Sequence, residues 1–115
     1  MNSIQILSEA IGKRHHISFQ YNKPGKIFGV RIGHPYAIFI FTAKNTRIQS
    51  TKVHIVQIEG VSDTAYEKPF PSFRMYNIED LSDILILNDR ACFSEPWHCD
   101  YNHQWEGYKD VIAKI

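Results

Sequence analysis

The rhythm of hydrophobic and polar residues changes near residue 16. Before that point Ile4, Leu7 and Ile11 recur at helical spacing and form one apolar stripe. After it Ile17, Phe19 and Tyr21 alternate with His16, Ser18 and Gln20, the period-two pattern of a half-buried strand. Asn2 with Gln5 three residues on makes a capping-box pair, and Gly12 is placed to help end a helix predicted over Ser3–Lys13. The strand is predicted over His16–Tyr21. Pro24-Gly25 then suits the centre of a type II turn. Alternation predicts a second strand over about Lys26–Ile32, a break at Gly33-His34-Pro35, and a third strand over Tyr36–Thr42. The unbroken apolar run of that third strand implies burial on both faces, or a helix over one.

Further strands are expected over about Lys52–Val61, Phe73–Ile78 and Ile84–Leu87, with loops over Ala43–Thr51 and Ser62–Ser72 and a turn at Asn88-Asp89. The residues Val111 to Ile115 fit a helical stripe as well as a strand, and their β-branched side chains favour the strand. One helix followed by short strands at close spacing predicts a mainly β (α+β) fold. The expected architecture is a small antiparallel barrel with an N-terminal helix and a C-terminal extension.

The 115 residues suit one domain spanning 1–115, with a core large enough to need no metal or disulfide. An apolar content of 43% with 22% charge is that of an ordinary globular chain, and the longest apolar run, Tyr36 to Phe41, is too short to cross a bilayer. With polar residues throughout the first dozen positions, the expectation is a cytoplasmic protein with no membrane partner. Cys92 and Cys99 are too few for a disulfide framework and are expected as thiols. Charge adds a second asymmetry. Residues 1–58 hold eight Lys or Arg against the single acid Glu9, whereas residues 59–115 hold five against eleven acids. That imbalance suggests a basic face able to receive phosphate, unless the two halves interleave and their charges mix.

Ala10-Ile11, Arg14 and the alternating Ile17, Phe19 and Tyr21 resemble the opening of the WYL domain family. Downstream, the run Ser72-Phe73-Arg74-Met75-Tyr76-Asn77-Ile78-Glu79-Asp80-Leu81 resembles that family's second landmark, an arginine-aromatic strand entering a turn. Tyr101-Asn102 and the run Val111 to Ile115 resemble the ending of short, stand-alone WYL-like proteins. The Trp-Tyr-Leu tripeptide that names the family is absent, its place taken by either His54-Ile55-Val56 or Ile38-Phe39-Ile40. The resemblance implies an Sm-like barrel of strongly bent strands and a sensor or accessory module for nucleic acid or nucleotide-like ligands.

The candidate ligand-binding residues are Arg14, Arg74, Lys26, Arg31, Tyr21 and Tyr76. Arginine's planar fork takes a phosphate bidentately, lysine adds a point charge, and tyrosine offers a ring face for a base. Each has a plainer alternative: Arg14 capping its own helix, Arg74 pairing with Glu79 or Asp80, and the tyrosines filling the core. His98, Cys99, Asp100 and His103 are the best metal-type cluster, but a structural zinc site needs two ligand pairs, so no metal and no cofactor are expected. The alternative for this segment is a loop whose Trp97, Tyr101 and Trp105 fold back over an open end of the barrel. A Cys99–His103 pair lacks a third orienting group, and phosphate-loop and nucleophile-elbow motifs are absent, so no enzyme is expected. The alternative to ligand recognition is a protein-interaction module, acting as a homodimer or on a protein partner through an edge strand.

Overall fold

The chain's computed structural model describes residues 2–62, 69–93 and 98–115. Residues 63–68 of the expected second loop, and Trp97, lie outside the described residues. The helix α1 spans Ser3–Lys13 as its caps require. Asn2 accepts the Gln5 amide at 2.9 Å, while the Gln5 side chain accepts the Asn2 amide at 3.0 Å. The chain leaves the helix at Arg14, not Gly12, through a left-handed conformation with φ of 60°. Leu7, Ala10 and Ile11 are the buried stripe, while Ile4 sits at its edge, 36% exposed.

Six antiparallel strands follow: β1 Ile17–Tyr21, β2 Val30–Thr42, β3 Gln49–Gly60, β4 Ser72–Asn77, β5 Leu81–Ile86 and β6 Val111–Lys114. They form one sheet in the order β4-β3-β2-β1-β5, with β6 joining β2 at the edge that β1 has left. Among the described residues β4 and β5 do not pair with each other, so the sheet is open. The final strand therefore won over the helical alternative for the C-terminus. No helix is long and apolar enough to cross a membrane among the described residues.

Two expectations about β2 are corrected. Lys26–Gly29 is not strand: the Lys23–Lys26 turn, closed at 3.1 Å with Gly25 at φ +83°, is followed by Gly29 at φ +142°. Gly33-His34-Pro35 does not break the strand either. A Cβ on Gly33 would lie 2.6 Å from Ile55 Cγ2 and 2.7 Å from the Val56 carbonyl, so only glycine lets β3 approach there. Pro35 sits where the β2–β3 register shifts, a place that tolerates its missing N–H.

Alternation along β3 sorts the core into two layers. Val53 and Ile55 face α1 with Ile17, Phe19, Ile38 and Tyr76. Val56 faces the other way, with Tyr36, Phe93 and, at the margin, Phe73 and Tyr101. The tail from His98 onward covers this second face, and β2 is buried on both sides from Tyr36 to Phe39.

Two glycine substitutions test this geometry with opposite signs. Gly60 has φ +100°, and a Cβ there would lie 2.2 Å from the Val30 carbonyl oxygen and 2.8 Å from Arg31 Cα. Gly60→Ala should cost more than about 2 kcal/mol in urea unfolding. Gly12 lies in α1 with open space around it, and Gly12→Ala should add about 0.5 kcal/mol in the same measurement.

Candidate functional site

Gln57 is fully buried on β3, and its side chain is saturated. Its amide nitrogen donates to the carbonyls of Glu59 (3.1 Å) and Val61 (2.9 Å), where β3 ends. Its oxygen accepts from Arg74 Nη1 at 2.9 Å, from the Tyr76 hydroxyl at 3.0 Å and from Arg31 Nη1 at 3.4 Å. Two strands, β2 and β4, thus deliver three donors to one acceptor on β3. Arg31 sits on β2 opposite Gly60, whose missing side chain lets the backbones close in. Arg74 and Tyr76 lie two residues apart on β4 and so share a face.

Further contacts fix both guanidiniums. Arg74 donates to the hydroxyls of Ser72 (3.2 Å) and Ser62 (2.8 Å) and lies over the Phe70 ring. Arg31 lies 5.2 Å from the centre of the Tyr21 ring and donates to the Ile27 carbonyl at 3.5 Å. Tyr21 in turn meets Tyr76 edge-on at 4.9 Å. Burial pushes the Tyr76 phenol up, opposed by the nearby positive charges of Arg31 and Arg74.

Arg31, Arg74, Tyr21 and Tyr76 line a groove of about 590 Å³. Five of the six candidates, Tyr21, Lys26, Arg31, Arg74 and Tyr76, lie along it. Arg14 does not. It caps its own helix, with Nη1 donating to the Ile11 carbonyl at 2.7 Å. Of the eight basic residues of the first half only Lys26 and Arg31 reach the groove, and Lys13 pairs with Glu9 at 3.2 Å.

The other end of the groove went unrecognised in the sequence. His54, Phe73, Trp105 and Tyr108 line it, with Asp100 and Asn102 beside them. Phe39 and Tyr108 both meet the Trp105 indole edge-on, at 5.5 and 5.2 Å. Tyr108 Oη lies 2.5 Å from His54 Nδ1. Burial, and then the neighbouring Tyr101, raises this phenol's pKa. The aromatic richness of the tail was the one available signal. Tyr101 and Trp105 do fold back, but onto a sheet face, against Tyr36 and Phe73 and against Phe39 and His54.

The His98-Cys99-Asp100 donor atoms lie within 4.8 Å of one another, yet the imidazole is already engaged. Nδ1 accepts the Asp100 amide at 3.1 Å and Nε2 meets the Pro71 carbonyl at 3.1 Å, which uses the lone pair a metal would need. A second histidine cluster lies at the junction of α1 and β1. His34 Nε2 is 2.8 Å from His16 Nε2, and the His34 ring stacks on Phe93 at 4.4 Å. Burial, then the His16 and Arg90 charges, lowers His34 to about 4; burial alone lowers His54 to about 4.

Comparison with protein-family models, with curated proteins and with solved structures gave no match.

Both histidines bear on acid stability. Between pH 6.5 and about 4 the unfolded chain takes up protons that the folded His34 and His54 refuse, so stability falls as pH falls through that window. Thermal denaturation from pH 7.5 to 4 should show a steady loss of Tm below 6.5, with a shallower slope for His34→Gln than for the parent chain.

Proposed function

We propose that this chain is a WYL-like, Sm-like module that recognises a phosphate-bearing ligand, nucleic acid or nucleotide, without catalysing a reaction on it. The observation that carries this reading is the convergence of Arg31 and Arg74 on Gln57, with Lys26 on the same groove. Two guanidiniums held by a shared acceptor have lost much of their rotational freedom before an anion arrives, which lowers the cost of binding it. Tyr21 and Tyr76 complete that end of the groove, and Arg14 serves the helix.

A second reading, pairing between two copies, is favoured by the outer edge of β5, where Leu85 is 62% exposed. Light scattering of the purified protein separates the two: a monomer that binds an oligonucleotide supports the first, a stable dimer with no such affinity the second.

Binding of a thymidine tetranucleotide should weaken as salt rises, because phosphate contacts release counterions. Arg74→Ala should weaken it about tenfold and reduce the salt slope by about one, while Arg14→Ala leaves both unchanged. Equal binding by the parent chain and Arg74→Ala, or none at low salt, would overturn the reading.

A further inference from the structure

The two ends of the groove lie on opposite faces of the sheet. Arg74 and Tyr76 stand opposite Ile55 and Val53 in the register and share with Gln57 the α1 side. Phe73 and Met75 stand opposite Val56 and His54 on the other side, where the tail lays Trp105 and Tyr108. Successive side chains along a strand point to opposite faces, so the two sets are separated by the thickness of the sheet. A groove lined by both sets therefore runs round β4, whose only partner among the described residues is β3. Met75, 48% exposed, marks the crossing.

The ends also differ in charge. Arginines and a lysine form one; aromatic rings with the Asp100 carboxylate form the other, which repels phosphate and suits a base. The edge-on contacts of Phe39 and Tyr108 fix the plane of the Trp105 indole, making it a prepared platform.

Resting on the anion-binding reading above, we infer that the ligand is a single-stranded oligonucleotide that crosses the edge of β4: one phosphate lies against Arg74, with the buried Arg31 adding its charge from behind, and a neighbouring nucleotide stacks its base on Trp105. A mononucleotide fills the arginine end alone.

The chain has two tryptophans, so Trp97→Phe leaves Trp105 as the only reporter. In that variant a thymidine tetranucleotide should quench the fluorescence, whereas thymidine monophosphate and inorganic phosphate, followed by calorimetry, should bind without quenching. Trp105→Leu should weaken the tetranucleotide about tenfold and leave the monophosphate unchanged, since only the stacked base is lost with the ring. Trp105→Tyr, which keeps a ring, should restore most of the affinity, and matched circular dichroism spectra confirm that both variants fold. Quenching by the monophosphate as strong as by the tetranucleotide, or unchanged tetranucleotide affinity in Trp105→Leu, overturns the inference. If Arg74→Ala weakens binding and Trp105→Leu does not, only the crossing fails. If Arg74→Ala has no effect, the anion-binding reading fails and the crossing with it.

Discussion

One buried amide organises the groove. Gln57 has no contact with water, so its four hydrogen-bonding positions must be met inside the protein or cost free energy on the order of 1–3 kcal/mol each. Its nitrogen meets this by holding the backbone where β3 ends, at Glu59 and Val61. Its oxygen meets it by drawing in Arg31, Arg74 and Tyr76 from two other strands. The same side chain thus closes the core and sets two cations side by side. Structure and proposed binding share this one constraint.

The second organising feature is that the sheet is covered differently on its two faces. Helix α1 lies over one face on a purely apolar stripe, and the tail covers the other with aromatic and polar side chains. β2 can be apolar on both sides because both are covered. β4 is left at the margin, with a basic surface on one side and an aromatic one on the other. That position lets a single groove draw on two unlike chemistries, which a sheet interior would keep apart.

Local patterns in the sequence were legible where local physics decides. The capping box of α1, the Pro24-Gly25 turn and the β-branched run of β6 all follow from the residues at those positions. The Gly33-His34-Pro35 segment misled because its tolerance depends on β3: glycine there is a gap for Ile55, and proline occupies a register shift that exists only once the strands pair. Arg31 and Arg74 were recognisable as candidates by type, but Gln57 was not, since nothing in an isolated glutamine reveals three donors converging on it. His54 was hidden likewise: its partner Tyr108 lies far along the chain. Arg14 reads in the sequence either as a ligand contact or as a cap on its own helix, and the left-handed helix end turns it toward its own carbonyls.

The most direct measurement is arginine side-chain NMR during titration with inorganic phosphate. Convergence on Gln57 predicts that the Arg31 and Arg74 signals move together along one binding curve while those of Arg14, Arg47 and Arg90 stay still. Independent curves for Arg31 and Arg74, or a response confined to the other arginines, would contradict it.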